Sequence, residues 1–150
     1  MMASAFSRTM ASFLIDRREF NILKNQEYVQ AHKQAIVTKN KNNKSYLVEY
    51  DKKFDTNSAG FRISFNTVPK KTYQLQIAAR LINGDRAFVY CEAIDETRLI
   101  PRIYLFTPRL IQTYNLNFTA TTDLTYIGVL FFYGQMSYRL EVTKFIVKQI

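Results

Sequence analysis

Among its 150 residues the chain offers one histidine, His32, and one cysteine, Cys91. A zinc site needs several His or Cys ligands, and a Cys–His or Ser–His pair needs a base beside its nucleophile. Neither can be assembled from these two residues. Cys91 sits between apolar neighbours in RAFVYCEA, which reads as a buried structural thiol rather than a nucleophile. Carboxylates are more plentiful, and Asp85, Glu92, Asp95, Glu96, Asp123 and Glu141 all fall in the β-rich part of the chain. Two of them held a few ångströms apart would be the raw material of glycoside hydrolysis. Their spacing brings no such pair together. Asp85 and Asp123 fall in turn contexts, where aspartate caps the local backbone, and Asp95-Glu96 marks a loop. Loop carboxylates and carbonyls also build calcium sites, although a solvated loop explains them as simply. Four glycines in the whole chain leave no glycine-rich phosphate cradle. The expectation is a protein that is not an enzyme, with no catalytic residue, metal or cofactor.

Side chains suited to binding are easier to find. Strand alternation nominates Arg62, Gln74, Gln76 and Gln112 on the solvent side, with Tyr90 and Glu92 as neighbours. Planar amide and guanidinium groups hydrogen-bond sugar hydroxyls, and tyrosine stacks on a pyranose face. Ordinary polar decoration of an exposed sheet would give the same pattern.

These residues belong to a run of short strands from Lys71 to Ile150. KTYQLQIAAR leads to the hairpin signal Asn83-Gly84-Asp85, then RAFVYCEA, LIQTYNLNFTA, LTYIGVLFFYG and YRLEVTKFIVKQI. Phe61, Ile63 and Phe65 alternate with Arg62, Ser64 and Asn66, the cleanest half-buried strand in the chain. Ala35 to Thr38 and SYLVEY (45–50) add two more strands. The terminal strand changes phase near Lys144, where Phe145 and Val147 take over the inner role from Leu140 and Val142, as a bulge would cause. The segment LTYIGVLFFY is apolar on both faces, so it is either covered twice or part of an interface. Together these features predict an all-β fold, an antiparallel β-sandwich of jelly-roll type with about eight or nine strands. Residues 35–150 would form it, preceded over 1–34 by an N-terminal arm or short helix. In that arm Phe6, Met10, Phe13 and Leu14 fall at helical spacing.

The size suits one domain with a substantial core. A net charge of +9 raises nucleic acid as a partner. The excess is diffuse, densest at Lys39 to Lys44, and no basic groove interleaved with aromatics is evident, so nucleic acid is not expected. The longest apolar run, Ile127 to Tyr133, is far too short for a transmembrane segment. A single cysteine excludes an internal disulfide and suits a reducing compartment. No adequate signal peptide precedes Asp16, so secretion is not expected, while the acid-free, serine-containing start also has the composition of a transit peptide.

From Lys71 to Ile150 the order of segments resembles the jelly-roll carbohydrate-binding modules of the galactose-binding-like type. The likeness rests on a tyrosine-led strand (TYQLQIAAR), an Asn-Gly turn, an alternating strand (AFVYCEA) and an aromatic-rich strand ending in Phe-Thr (TYNLNFTA). An apolar strand and a terminal strand complete it. Two departures stand out: the chain has no tryptophan for sugar stacking, and the acidic residue usual in that type's terminal strand is missing around Thr143-Lys144. The resemblance implies the sandwich fold, with a glycan as the ligand. By architecture and composition the chain is also similar to single-jelly-roll capsid proteins, the penton or minor capsid components of large DNA viruses. That second resemblance implies self-association and contacts with other structural proteins. Phe6, Met10, Phe13 and Leu14 would insert into a neighbour, and Tyr126, Leu130 and Phe132 would add contact area. The expectation placed first is this assembly role, in a virion or otherwise the cytoplasm. The alternative is a carbohydrate-binding module using the solvent face of one sheet.

Overall fold

A computed structural model describes residues 12–15, 19–42, 44–54, 59–106, 110–131 and 136–150. The described residues form twelve strands, starting with β1 (Phe13–Leu14), β2 (Phe20–Asn21), β3 (Gln30–His32), β4 (Ile36–Lys39), β5 (Tyr46–Tyr50) and β6 (Gly60–Asn66). The remainder are β7 (Thr72–Asn83), β8 (Arg86–Ala93), β9 (Ile103–Phe106), β10 (Gln112–Thr119), β11 (Leu124–Phe131) and β12 (Tyr138–Gln149). The first sheet runs β1-β6-β11-β8-β9, with β3 beside β6; the second runs β10-β7-β12-β5-β4, with β2 beside β12. All pairs are antiparallel except the short parallel match of β1 to β6. The chain is therefore an antiparallel β-sandwich, as the alternation predicts.

Period-two patterning decides what lies between the sheets. Phe61, Ile63 and Phe65 of β6, Val89 and Cys91 of β8, and Ile127 and Val129 of β11 point inward from the first sheet. They meet Leu75 and Ile77 of β7, Val48 of β5, and Leu140, Val142, Phe145 and Val147 of β12. Keeping Phe145 and Val147 inward requires an extra residue in β12. The register against β7 slips between Val142 and Lys144, and Thr143 fills the bulge, its hydroxyl donating to the Ala78 carbonyl at 3.2 Å.

Two expectations need correction. Asn83-Gly84-Asp85 is a turn but not a hairpin, because β7 ends in the second sheet and β8 begins in the first. Turn residues report a local reversal of the chain, and the strands on either side choose their own partners. Gly84 has φ +109°, and a Cβ there would collide with the Tyr138 ring, whose hydroxyl donates to Asp85 at 2.7 Å. The stretch read as an arm also behaves differently. Residues 12–15 and 19–34 supply β1, β2, β3 and a 3-10 turn at Gln26–Tyr28, and Phe13, Ile15, Phe20 and Ile22 are buried in the core. Their spacing of two is a strand period, which the helical spacing of Phe6, Met10 and Phe13 obscured. Phe6, Met10 and Phe132 lie outside the described residues.

Phe20 is the hub of this region. Its ring meets Phe13 at 5.2 Å, Phe65 at 5.1 Å and Phe145 at 6.2 Å, all edge-to-face. Phe65 belongs to the first sheet and Phe145 to the second, so one side chain joins both. Phe13, once a candidate for insertion into a neighbouring subunit, is only 2% exposed and packs edge-on to Tyr28 at 5.3 Å as well. Leu14 points the other way and is exposed.

The outward side of the second sheet carries a polar network. Arg80 Nε meets Glu141 Oε1 at 2.7 Å, and the Ser45 hydroxyl donates to Glu141 Oε2 at 2.8 Å, with the Asn40 amide beside both. Burial alone would raise the Glu141 carboxyl; the Ser45 hydroxyl and the Arg80 guanidinium outweigh it and hold it below the ordinary glutamate value.

Two outcomes follow from this packing. Phe20→Ala should cost about 3–5 kcal/mol in a denaturant titration, as expected of a buried ring in a core that cannot collapse around the gap. Glu141→Gln should cost at most about 1 kcal/mol at neutral pH, given the half-exposed arginine. The Glu141 contribution is complete above the ordinary glutamate range and lost as pH falls through the lower folded value, so the two proteins should converge in thermal stability in acid.

Candidate functional site

The strands of the first sheet turn a second set of side chains outward. β6 presents Arg62, Ser64 and Asn66, β11 presents Leu124, Tyr126, Gly128 and Leu130, and β8 presents Arg86, Phe88, Tyr90 and Glu92. Register aligns them into rows across the sheet. His32, Gly60, Leu130, Phe88 and Tyr104 form one row. Arg62, Gly128 and Tyr90 form the next, and Ser64, Tyr126, Glu92 and Arg98 a third. β11 is thus covered on both faces, by the core within and by these rows without.

Gly128 shapes the middle of this face. A Cβ there would drive into the Phe61 carbonyl oxygen, so β6 and β11 approach more closely than side chains would permit. Phe88, Tyr90 and Leu130 form an apolar cluster of their own, separate from the main core, with Tyr104 and Tyr126 packed against it. Phe88 lies edge-on to Tyr90 at 6.4 Å and to Tyr104 at 6.3 Å.

Guanidinium groups cover these rings. Arg62 lies 4.5 Å from the Tyr126 centroid, Arg102 lies 4.5 Å from that of Phe88, and Arg86 lies 5.5 Å from that of Tyr104. Among the described residues the side chains of Arg62 and Arg102 make no hydrogen bond or ion pair. Arg102 Nε is buried and has no acceptor. The electrostatics carry the same positive bias. Burial, then Arg62 and Lys33, hold the His32 imidazole below its ordinary value, so it is neutral at pH 7 and can both donate and accept. Burial pushes the Tyr90 phenol well above its ordinary range, against a smaller opposing pull from Arg62. Cys91 faces the core, and burial raises its thiol far above neutrality, which leaves it inert.

Next to Arg62 and Tyr126 a cleft of about 360 Å³ opens, lined also by Ser12, Ser64, Asn66 and Asp123. That volume falls within the usual range for small-ligand sites. A larger cleft, about 500 Å³, lies by the second sheet between Ile36, Tyr50, Phe54, Ile82 and Tyr138. Its charged pair, Glu49 and Arg139, already meets at 3.5 Å. The smaller cleft is lined by the Arg62 guanidinium, which has no acceptor among the described residues, and this is why it is the better candidate.

The nominated binding residues divide between the sheets. Arg62, Tyr90 and Glu92 come together on the outer face of the first sheet. Gln74 and Gln76 belong to β7 in the second sheet and register against Asn117 and Asn115 of β10, far from that face. Gln112 registers against Ala79, on the core side of edge strand β10, and its amide donates to the Tyr114 hydroxyl at 3.0 Å. Tyr126 and Leu130, nominated for subunit contact, are respectively half-buried beneath Arg62 and buried among the outward rings. Sequence reasoning missed Phe88, Arg102, Tyr104, Arg86 and His32 as members of this face. Alternation placed Phe88 and Tyr104 beside Arg-bearing positions, but which sheet β9 joins was not visible. Among the described residues, no three His, Cys, Asp or Glu side chains cluster as a metal site would need. No helix there is long and apolar enough to cross a membrane.

No protein-family model and no curated protein sequence matches the chain. Solved structures do share its fold. The xylan-binding domain of a family 22 carbohydrate-binding module is 15% identical, with a TM-score of 0.64 over 90% of this chain and 95% of that one. The CBM22-1 xylan-binding domain of Paenibacillus barcinonensis Xyn10C is 9% identical, with a TM-score of 0.61 over 93% of this chain and 98% of that one. An arabinose-bound GH51 α-L-arabinofuranosidase is also similar, at 11% identity and a TM-score of 0.58. There the match covers 81% of this chain but only 23% of the enzyme, so this chain corresponds to a segment of a much longer protein. The jelly-roll likeness to carbohydrate-binding modules therefore holds. The expectation of a capsid component is corrected: these neighbours are carbohydrate-binding modules or lie within a glycosidase, and Phe13 is spent on its own core.

Exposure decides which tyrosine can serve as a probe of this face. Tyr90 is only 6% exposed, so Tyr90→Ala should lose about 3 kcal/mol in chemical denaturation. Tyr126→Ala, which loses a half-buried ring and its cation–π contact, should lose about 1 kcal/mol and remain folded.

Proposed function

We propose that this chain is a non-catalytic carbohydrate-binding module whose ligand lies across the outer face of the first sheet. The observation that carries the reading is the Arg62–Tyr126 pair, with the guanidinium 4.5 Å from the ring centroid, lining the cleft of about 360 Å³. Guanidinium N–H groups donate to sugar hydroxyls. Ser64 and Asn66 line the cleft with Arg62, and the neutral His32, one row away, adds a donor and an acceptor on the same face. The half-buried Tyr126 holds the Arg62 guanidinium over its ring and adds a phenol hydroxyl beside the cleft.

The shared fold supports this reading, since two similar structures are xylan-binding domains, although a fold by itself carries no function. The absence of tryptophan shifts the work from ring stacking toward hydrogen bonding. Hydrolysis finds no support in the geometry. On this face Glu92 stands opposite Arg98, and the other carboxylate near the cleft, Asp123, lies beyond the end of β6 where its carbonyl accepts the Thr67 N–H.

In titration calorimetry against a panel of soluble oligosaccharides, the protein should bind at least one and release no reducing ends. Tyr126→Ala should weaken that binding about tenfold, which corresponds to about 1.4 kcal/mol. The double variant Gln74→Ala/Gln76→Ala, on the opposite sheet, should bind as the unchanged protein does. Loss of binding in the glutamine variant alone would move the site to the second sheet.

A further inference from the structure

The same face points to the charge of the glycan. We propose that it selects an anionic polysaccharide, one bearing carboxylate or sulfate groups, with Arg62 and Arg102 as the anion-holding residues. This rests on the carbohydrate-binding reading and narrows it.

Three observations carry the inference. First, Arg62 and Arg102 lie over rings on the outer face of the first sheet, and among the described residues their side chains make no hydrogen bond or ion pair. The second sheet differs: its arginines Arg80 and Arg139 are each matched to a glutamate, at 2.7 Å and 3.5 Å. Guanidinium groups without a carboxylate partner on the first sheet are complementary to an acidic ligand.

Second, Arg102 Nε is buried without an acceptor. A buried donor normally finds a partner, and the fork of Nε and Nη is the geometry that takes a carboxylate or sulfate in two parallel bonds. Its stacking on Phe88 leaves the side chain in-plane freedom, because a ring face imposes no directional bond. A small swing would therefore bring the fork onto a ligand oxygen.

Third, guanidinium groups already occupy the ring faces that a neutral pyranose would need, those of Tyr126 and Phe88, at 4.5 Å each. A neutral sugar has to displace them. An acidic sugar uses them, and Tyr126 and Phe88 then hold each cation in place while it pairs. Arginine suits this role better than lysine, since it stacks and forks at once.

The test pairs ligands that differ in charge and not in shape. Free-acid oligogalacturonate, oligoglucuronate and oligomannuronate are compared with their methyl esters, and a sulfated galactan with its desulfated form. Binding of the full chain is followed by calorimetry, with single-stranded DNA of matched charge as a further arm. The proposal expects the free acid or the sulfate ester to bind at least tenfold tighter than its neutral counterpart. Arg62→Gln and Arg102→Gln should each remove fivefold or more of that preference. Lys41→Gln/Lys44→Gln, in an exposed loop away from this face, should leave it unchanged.

A preference confined to the uronates or to the sulfated galactan supports the proposal and identifies the anion. Equal affinity for acid and ester, or binding of neutral glycans alone, overturns anion selection and leaves the carbohydrate-binding reading standing. DNA binding as tight as any glycan overturns the proposal, as does an equal loss in the lysine variant, since bulk charge would then explain everything. Failure to bind any glycan, charged or neutral, overturns both readings. The comparison of acid with ester uses the unaltered protein, so it decides the matter even if an arginine variant is unstable.

Discussion

The edge-to-face ring cluster around Phe20 is the contact on which the sandwich closes, because it reaches both sheets from a strand too short to hold itself. β1 and β2 are two residues each, and two residues of ladder contribute little stability on their own. They stay in place because Phe13, Ile15, Phe20 and Ile22 are buried between sheets that would otherwise gape at that edge. Rings meeting edge-to-face add to the area term, and Phe20 meets Phe65 from one sheet and Phe145 from the other. With the sheets clamped there, the register of β6, β11 and β8 is fixed, and the outward rows on the first sheet depend on that register.

The two outer faces are built from similar residues and end in different states. On the second sheet Glu141 gathers Arg80, Ser45 and Asn40 into a closed network, and Glu49 takes Arg139. On the first sheet the arginines lie on rings, and Arg62 and Arg102 have no acceptor among the described residues. A net charge of +9 therefore means less than its placement. Most lysines lie in turns and loops, with Lys39, Lys144 and Lys148 on strands of the second sheet, whereas Arg62, Arg86 and Arg102 lie over rings of the first. That convergence is what the carbohydrate-binding proposal rests on, since the sandwich shared with other structures establishes the fold alone.

Much of the fold was legible because burial imposes a period. Phe61, Ile63 and Phe65 declared their strand, and the phase change near Lys144 declared the bulge at Thr143, since a single extra residue is the only way to keep Phe145 and Val147 inward. β11 read as either covered twice or part of an interface, and the register rows cover its outer face. The N-terminal stretch was misread because a helical spacing ending at Phe13 competed with the strand spacing of Phe13 and Ile15, and a window so short carries either one. Asn83-Gly84-Asp85 signalled its turn correctly, but turn chemistry is local and could not show that the chain crosses there from one sheet to the other.

The candidate face divides along the same line. Alternation fixes the side of a strand on which a residue lies, so Arg62, Tyr90 and Glu92 were nominated from the sequence alone and do share a surface. The same rule swept in Gln74 and Gln76, because it cannot tell one sheet from another, whereas Gln112 lies on the core side of its own strand with Tyr114. Which strands are neighbours is set by contacts between residues far apart in the chain, and these have no signature in a window of ten residues. The sequence by itself therefore determined an all-β chain with inward and outward positions on each strand, carrying a lone histidine and a lone cysteine. Only the tertiary structure decided that Arg62, Arg102, Phe88, Tyr104 and Tyr126 meet on one sheet, because that meeting depends on the pairing order β6-β11-β8-β9 and on Gly128 letting two of those strands approach.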